Sequence, residues 1–263
     1  MFSEVVKNGV TYKTSTNISC LHAFTTRLGG VSSGIYSSLN LGQSLGDDPI
    51  NVRANYGALC NALGICTYDI VKSKQVHGTT IRLITSSDCG KLYDNDIPEA
   101  DGMITNINNV ALIIYTADCV PILLHDSKKN VVCALHAGWR GTVKDICGIA
   151  VKKMLDAYGS NPSDIKASIG PCIGNCCFET SIDVVDALYN TLENSADLCY
   201  EKYGNKYKVN LKMANKIMLS RVSVEDISIS SDCTSCNDKY WSHRKVSTKR
   251  GSQASIIALG DKT

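Results

Sequence analysis

The chain has 263 residues, of which 44% are hydrophobic, and a formal net charge of +2. This apolar content suffices for a large buried core, and the near-neutral charge favours neither nucleic acid nor an anionic membrane surface as a partner. No stretch approaches the roughly 20 consecutive apolar residues of a membrane span, and the N-terminus has no secretory signal pattern. We therefore expect a cytoplasmic protein that binds no nucleic acid and no membrane.

Thirteen cysteines are unusually many. In a small secreted protein they would indicate a disulfide framework, but this chain is large, has no export signal and has an odd number of cysteines. We therefore predict that most are reduced, buried thiols. The Cys233-Thr-Ser-Cys236 segment stands alone in the sequence without a second pair or a redox-type context, and we interpret it as structural. The alternative, a zinc knuckle, would need two more ligands nearby, and only His243 is close in sequence. The adjacent Cys176-Cys177 pair has no role that its chemistry assigns.

The first predicted helix follows Asp48-Pro49, where an N-cap precedes a proline at the first helical position. Gly64 ends it, and its apolar stripe consists of Val52, Tyr56, Leu59 and Leu63. Short apolar runs then predict strands at residues 70–71, 80–85, 111–115, 121–124 and 131–135.

The clearest helical pattern starts near Thr142 and continues to Tyr158, with apolar residues spaced three and four apart. Thr142 and Asp145 resemble a capping box, and Gly159 and Pro162 close the helix. The pattern after it predicts a strand at 165–169, helices at 181–192 and 211–221, and strands at 227–229 and 254–259. No repeat or linker interrupts the chain, so we expect a single domain over residues 1–263. Irregular alternation of strands and helices indicates an α/β (α+β) fold with mixed sheets.

Three residues carry the strongest chemical signal: His77, Cys119 and His136. Each lies in a segment typical of a strand end or a tight turn. Two imidazoles and one thiolate match the ligands of a catalytic zinc ion, which keeps an open fourth position and lowers the pKa of a bound water toward about 7. The alternatives are a buried cysteine that acts as a small hydrophobic residue, and hydrogen-bonded core histidines.

The segments around these residues resemble a known family. They occur in its order: Thr26-Arg27-Leu28-Gly29-Gly30-Val31-Ser32, Ser38-Leu39-Asn40-Leu41-Gly42, Gln75-Val76-His77-Gly78, Ala100-Asp101-Gly102, Thr116-Ala117-Asp118-Cys119-Val120-Pro121, His136-Ala137-Gly138-Trp139-Arg140-Gly141-Thr142 and Ile169-Gly170-Pro171-Cys172-Ile173-Gly174. The chain looks like a member of the YfiH family, long labelled the polyphenol oxidase or laccase domain.

This resemblance implies a fold and an activity. The fold is an α/β/β/α layered sandwich. The activity is zinc-dependent phosphorolysis of adenosine, inosine or S-methyl-5′-thioadenosine, with deamination of adenosine as a second reaction. The implied partners are purine nucleosides and phosphate, and we expect a monomer or weak homo-oligomer. Bacterial members also include peptidoglycan editing factors.

The resemblance and the local chemistry together suggest the site residues. The metal ligands are His77, Cys119 and His136, and the candidate catalytic groups are Cys119, Asp118 and His136. The candidate substrate-binding residues are Arg27, Asn40, Gln75, Arg140, Gly170 and Arg244. An Asn-capped turn is an equal alternative for Asn40, a solvated charge is an equal alternative for Arg244, and capping of the core is the alternative for Arg140. The chain departs from the family at Tyr56, Lys245 and Ser252, where many members carry arginine.

Three other functions compete with this one. A cysteine hydrolase would use Cys119 as nucleophile and His136 or His77 as base, on an amide such as a misincorporated residue in a cell-wall precursor. A zinc-stabilised binding module would need a fourth protein ligand, and no motif supplies one. A multicopper laccase is disfavoured, because a blue-copper centre takes two of the five histidines and leaves too few for a trinuclear cluster.

Overall fold

The computed structural model of the protein describes residues 1–260, which form two six-stranded sheets and one three-stranded sheet. The first sheet has the spatial order β1 (Phe2–Lys7), β2 (Val10–Ser15), β3 (Leu21–Thr25), β15 (Gln253–Ala258), β7 (Ala111–Thr116) and β4 (Ile70–Val71). The second has the order β14 (Asp226–Ile229), β10 (Ile165–Ile169), β8 (Val120–Asp126), β9 (Val131–Ala137), β6 (Gly102–Thr105) and β5 (Ile81–Leu83). The small sheet has the order β11 (Glu179–Thr180), β13 (Lys206–Val209) and β12 (Tyr200–Tyr203). Both large sheets combine parallel and antiparallel pairs.

The helices lie outside the two large sheets. They are α1 (Pro49–Leu63), α2 (Trp139–Thr142), α3 (Ile146–Tyr158), α4 (Ile182–Leu192), α5 (Leu211–Arg221) and α6 (His243–Val246). In the part of the chain that the structure describes, no helix is long and apolar enough to cross a membrane.

The alternation of side chains along the strands produces the layers. On β7, Leu112 and Ile114 belong to the core between the sheets, whereas Ala111 and Ile113 belong to the core under α1. Successive side chains of a strand point to opposite faces, so a strand that is buried on both faces is apolar throughout. The first sheet therefore lies between α1 and the second sheet.

The second sheet repeats this arrangement on its other side. On β8, Leu123 packs in the core between the sheets, and Ile122 and Leu124 pack in the core that includes residues of α3, α4 and α5. The order of layers is helix, sheet, sheet, helices. The prediction of an α/β/β/α layered sandwich with mixed sheets is therefore confirmed.

Local sequence signals were sufficient for most elements. Helix α1 begins after Asp48, whose side chain accepts a hydrogen bond of 2.8 Å from the Ile50 amide, and it ends at Gly64 with φ +73°. The left-handed conformation at Gly64 costs little because glycine has no Cβ. The strands predicted from apolar runs and the helices predicted at 181–192 and 211–221 are also confirmed, within a few residues at each end.

The start of the long helix was predicted wrongly. It begins at Ile146, after a separate short helix α2, and Asp145 is its N-cap rather than part of a capping box with Thr142. The Asp145 carboxylate accepts the Gly148 amide at 2.9 Å, and a Cβ on Gly148 would lie 2.3 Å from that carboxylate. Thr142 is held instead by the side chain of Asn215, which donates to its hydroxyl at 3.0 Å.

Candidate metal centre and substrate cavity

The three predicted ligands meet where the chain passes between the two large sheets. His77 lies between β4 of the first sheet and β5 of the second, and Cys119 lies between β7 of the first and β8 of the second. His136 is on β9, paired with Pro121 of β8. Two connections between the sheets, β4 to β5 and β7 to β8, and strand β9 therefore bring together three residues that are far apart in sequence.

The geometry of this group suits one tetrahedral ion. Cys119 Sγ lies 3.8 Å from His77 Nε2, and one ligand atom from each of His77, Cys119 and His136 lies within 4.8 Å of the others. A zinc ion with Zn–S of about 2.3 Å and Zn–N of about 2.0–2.1 Å separates sulfur from nitrogen by roughly 3.6 Å in a tetrahedron. The two imidazole rings are nearly perpendicular, at 83°, with centroids 4.8 Å apart. The donor set therefore fits a metal ion after only small side-chain movements.

Asp101 organises two of the three ligands. Its Oδ1 accepts hydrogen bonds from the His77 amide at 3.0 Å and from His136 Nδ1 at 2.8 Å. Its Oδ2 accepts the amides of Val76 at 3.2 Å and Gly78 at 2.7 Å. His77 has φ +59°, a conformation that is uncommon for a residue with a side chain, and these bonds hold it there.

The same carboxylate fixes the orientation of the His136 ring. Because His136 Nδ1 bonds to Asp101, its Nε2 is the nitrogen left for the cavity. Burial favours the neutral form of Asp101, but the hydrogen bonds from His136, Gly78 and Val76 outweigh it and hold the pKa of this carboxyl below its ordinary value. Asp101 is therefore a charged acceptor in this arrangement.

Cys119 and His136 favour each other's charged forms. Burial disfavours the thiolate, but the charge of His136 and hydrogen bonds with His136 and His77 outweigh it, so the pKa of Cys119 lies below its ordinary value. Burial likewise disfavours the imidazolium of His136, yet Cys119 and Asp101 raise its pKa. The thiolate is the form of cysteine that binds metals and attacks electrophiles.

A cavity of about 420 Å³ opens over this group. Its wall combines the three ligands with apolar and cationic side chains: Gln75, His77, Tyr115, Thr116, Ala117, Asp118, Cys119, His136, Trp139, Arg140, Ile173, Phe178, Leu211, His243, Arg244, Arg250 and Ser252. Sites for small molecules typically measure about 300–1,000 Å³. The cavity is therefore large enough for a compact organic ligand.

Three arginines line this cavity. Arg140 lies over the ring of Trp139, 4.4 Å from its centroid, and makes no hydrogen bond or salt bridge to any residue in 1–260. Arg244 donates to the Cys177 carbonyl at 2.9 Å. Arg250 was not predicted as a site residue, and its Nε is buried without a hydrogen-bond partner among the described residues. The cavity therefore offers guanidinium groups to an anion beside the ligand group.

Asp118 lies in the cavity wall, but its carboxylate is occupied. Oδ1 accepts Thr234 Oγ1 at 2.6 Å, and Oδ2 accepts Ser242 Oγ at 3.0 Å and the Arg244 amide at 2.6 Å. These bonds tie the turn of Cys119 to the C-terminal part of the chain. The predicted catalytic role of Asp118 stays a prediction, and the contacts indicate that it positions Arg244.

Arg27, Asn40 and Gly170 do not line the cavity. Arg27 donates to the Ser37 carbonyl and lies 4.0 Å from the centroid of the Trp241 ring. Gly170 packs so closely on Phe24 that a Cβ would lie 2.2 Å from that ring. Both residues contact other parts of the protein instead.

Asn40 is fully buried and its side chain is used by the protein itself. It accepts the amides of Gly42 at 2.9 Å and Ser252 at 3.0 Å, and it donates to Asp47 at 2.9 Å. These contacts agree with the alternative interpretation of Asn40 as a residue that caps a turn. Its link to Ser252 positions a residue that does line the cavity.

Gln75 lines the cavity, yet its amide pairs with the backbone of Tyr115. It donates to the Tyr115 carbonyl at 2.8 Å and accepts the Tyr115 amide at 2.7 Å. Both contacts fix the wall of the cavity and use one N–H and one lone pair of the Gln75 amide. The predicted contact between Gln75 and a substrate therefore stays a prediction.

Sequence reasoning missed Asp101, Thr116 and Arg250 as site residues. Asp101 lies in the Ala100-Asp101-Gly102 motif, and an aspartate in a family motif was the available signal, because metal-ligating histidines commonly bond to a carboxylate. The Thr116 hydroxyl is buried, faces the cavity wall and has no partner among residues 1–260. No pattern in the sequence distinguishes Arg250 from the other cations between Arg244 and Arg250.

Three histidines remain: His22 and His125 lie away from the ligand group, and His243 lines the cavity but is not part of that group. His22 accepts the Ser15 amide at 2.8 Å and bonds to the Cys20 carbonyl at 2.9 Å, on β3. His125 is at the other end of β8 from the ligands, in a separate pocket with Ser19. Within residues 1–260 the group that contains Cys119 has two histidines, which is too few for a multicopper site.

The chain is similar to known proteins over most of its length. Residues 21–260 match the family model described as multi-copper polyphenol oxidoreductase laccase. A relative in Bacillus subtilis named purine nucleoside phosphorylase YlmD is 36% identical over 250 residues, which cover 92% of this chain and 90% of the relative. Purine nucleoside phosphorylase YfiH of Escherichia coli is 33% identical over 235 residues, which cover 89% and 91% of the two chains.

Solved structures agree with these relationships. The crystal structure of YlmD from Geobacillus stearothermophilus superposes with a TM-score of 0.91 at 33% identity, covering 96% of this chain and 97% of that one. The hypothetical protein YfiH of Bacillus licheniformis superposes with a TM-score of 0.87 at 32% identity, covering 95% and 93%. With the sequence match, these similarities show that the chain belongs to the YfiH family, whose family model carries the polyphenol oxidoreductase laccase description.

Proposed function

We propose that this chain is a zinc-dependent purine nucleoside phosphorylase. Its substrates are adenosine, inosine and S-methyl-5′-thioadenosine, and it also deaminates adenosine. The observation that carries the proposal is the convergence of His77, Cys119 and His136 at a cavity lined with arginines. The relatives named purine nucleoside phosphorylase support the reaction class. We also propose that residues 1–263 form one catalytic domain that works as a monomer or weak homo-oligomer.

The cavity wall provides a place for the purine. Trp139, Ile173, Phe178 and Leu211 line it together with the ligand group. Aromatic faces stack on planar bases, and the apolar side chains exclude water from the base.

The arginines provide a place for phosphate. A guanidinium binds two phosphate oxygens at once, and its charge strengthens both hydrogen bonds. In phosphorolysis, a phosphate oxygen forms a bond to ribose C1′ while the bond from C1′ to the purine nitrogen breaks. Arg140, Arg244 and Arg250 would hold the dianion in line for that attack and stabilise its charge.

His77, Cys119 and His136 would hold the zinc ion at the cavity. When bound, zinc supplies Lewis-acid polarisation of a substrate atom or activation of a water. Asp101 keeps the His136 ring and the His77 turn in the ligand geometry. Deamination of adenosine uses the same cavity without phosphate, because water replaces the amino group at C6 of the base.

The test of the proposal is product analysis with the zinc-loaded protein. Inosine and phosphate are expected to give hypoxanthine and ribose 1-phosphate, with no cleavage when phosphate is omitted. Adenosine without phosphate is expected to give inosine, which tests the deaminase activity separately. Chromatography of the bases and phosphorus NMR of the sugar phosphate measure these products. No turnover of any purine nucleoside would contradict the proposal.

One observation favours a second candidate, a cysteine amide hydrolase that edits peptidoglycan precursors. Cys119 Sγ contacts His77 Nε2 at 3.8 Å, and the His136 ring is oriented by Asp101, so nucleophile, base and carboxylate are all present. A nucleophilic thiol does not require zinc. Cleavage of a muramyl-peptide amide by chelator-treated protein, without nucleoside turnover, would favour this candidate.

Replacement of Arg140 by alanine is expected to raise the phosphate KM about tenfold, with a smaller change in the nucleoside KM. The physical reason is the loss of one charge-assisted hydrogen bond, worth roughly 1.5–3 kcal/mol, and the exposure of Arg140 places the effect at the lower end. Steady-state kinetics at varied phosphate measure it.

Arg53→Ala is a matched control for that experiment. Arg53 also lies over an aromatic ring, 4.6 Å from the centroid of Tyr93, but it is on α1 in a different layer. It should leave the phosphate KM unchanged. An unchanged phosphate KM in Arg140→Ala would remove Arg140 from the anion site.

A further inference from the structure

A second cluster of four cysteines lies outside the ligand group. Cys233 and Cys236 were predicted to stand alone, but Cys176 and Cys177 from an earlier loop lie beside them. The four sulfur atoms all lie within 4.8 Å of one another. Cys236 Sγ lies 3.1 Å from Cys177 Sγ and 3.5 Å from Cys176 Sγ. The interpretation of Cys233-Thr-Ser-Cys236 as an isolated pair was therefore wrong.

These thiols are not hydrophobic filler. Cys176 and Cys236 are exposed, and Cys177 and Cys233 are half-buried, whereas cysteines such as Cys133 are completely buried in a core. Four thiol groups at the protein surface gain little from contact with one another. Hydrophobic contact therefore does not explain why the four thiols lie together.

The spacing of the sulfur atoms is the spacing of zinc ligands. In a tetrahedral site with Zn–S of about 2.3 Å, neighbouring sulfur atoms are roughly 3.8 Å apart. The two sulfur contacts to Cys236, at 3.1 and 3.5 Å, need only a small expansion to reach that value. Four thiolates form the closed coordination shell of a structural site, which differs from the open three-ligand shell at Cys119.

The backbone around Cys233 supports the same conclusion. The Gly174 amide donates to Cys233 Sγ at 3.2 Å, and the amides of Ser235 and Cys236 also point to this sulfur. Amide donors that converge on a sulfur offset the negative charge of a thiolate ligand. A Cβ on Gly174 would lie 3.2–3.3 Å from atoms of Cys176 and Cys233, so the glycine permits the close approach of the two loops.

We propose that Cys176, Cys177, Cys233 and Cys236 bind one structural zinc ion, separate from the candidate catalytic metal. The ion would join the loop that follows β10 to the loop that follows β14. These loops already touch through the Thr234 amide, which donates to the Cys172 carbonyl at 3.0 Å. A metal cross-link would add to this contact and fix the two loops to each other.

The position of the cluster also links it to the cavity. Phe178, next to Cys177, lines the cavity, and the Cys177 carbonyl accepts Arg244 Nη1 at 2.9 Å. Thr234, next to Cys233, donates to the Asp118 carboxylate at 2.6 Å. The proposed ion would therefore brace the wall that carries Phe178 and Arg244.

Zinc analysis in a Cys119→Ala background tests the proposal without interference from the first site. This variant is expected to retain one zinc per chain, and Cys119→Ala/Cys236→Ser is expected to retain none. Cys119→Ala/Cys66→Ser is the matched control, because Cys66 is exposed and lies outside both cysteine groups. It should keep its zinc.

X-ray absorption at the zinc edge provides a second measurement that does not depend on the folding of the Cys236 variant. The zinc in Cys119→Ala is expected to have only sulfur neighbours, and its removal with a chelator should lower the Tm. A folded Cys119→Ala protein that holds no zinc after reconstitution would overturn the proposal. Disulfides among the four cysteines, found by mass spectrometry of the freshly purified and alkylated protein, would also overturn it. Neither result bears on nucleoside turnover, which is measured with the unmodified chain.

Discussion

Replacement of Cys119 by alanine is expected to abolish both zinc binding at the candidate catalytic site and turnover of inosine with phosphate. Cys119 is the only thiolate among the three proposed ligands, and its loss leaves two imidazoles for an ion that prefers four donors. Removal of an outer carboxylate typically costs about 10–100-fold in metal affinity or activity, so loss of a direct ligand should cost more. Elemental analysis and product formation, measured on the same preparation, check both parts.

The interpretation of this variant depends on two comparisons. Cys66→Ala should keep wild-type turnover, because Cys66 is exposed and outside the ligand group. Full turnover by Cys119→Ala would remove the residue from the mechanism. If chelator treatment leaves the wild-type activity intact while Cys119→Ala has none, Cys119 acts as a nucleophile. That result would support the cysteine hydrolase candidate.

Most of the fold could be predicted because the decisive signals are local. Asp48 and Gly64 mark the two ends of α1, and continuous apolar runs mark the central strands β7, β8 and β9. Strands buried on both faces need apolar residues at every position, which is visible without any knowledge of the partner strand. These elements form the middle of the sandwich.

The parts that were missed depend on contacts between distant segments. β1 carries mostly exposed side chains, and only its pairing with β2 defines it as a strand. The long helix starts at Ile146 because Asn215 of α5 binds Thr142 and Asp145 caps the helix. The spacing of apolar residues cannot reveal this break between the two helices, because the same spacing continues across it.

The candidate site shows the same division between local and distant information. His77, Cys119 and His136 were found from their residue types and motifs, and the structure brings them together. Arg27 and Asn40 share such motifs but bind the protein itself, and a motif does not reveal which way a side chain points. The cysteine cluster was invisible for a related reason, since Cys177 and Cys236 are 59 residues apart in sequence.

Asp101→Asn is expected to weaken zinc binding at the candidate catalytic site by about 10–100-fold and to lower nucleoside turnover. The amide keeps one acceptor oxygen for His136, but its NH₂ group then faces the amides of Val76 and Gly78, which are donors. Two partly buried donors lose their acceptor, and the turn that holds His77 at φ +59° loses its support. Competition with a chromophoric chelator measures the zinc affinity.

Glu99→Gln is the matched control for this change. Glu99 belongs to the same segment, but its carboxylate pairs with Lys74 at the surface, with both side chains more than half exposed. The same replacement of acid by amide should leave zinc affinity and turnover unchanged there, because an exposed ion pair contributes little. A zinc affinity in Asp101→Asn that equals the wild-type value would mean that Asp101 stabilises the fold without positioning the ligands. A loss of affinity in a variant whose circular dichroism and Tm stay close to wild type would instead establish Asp101 as a positioning residue for both His77 and His136.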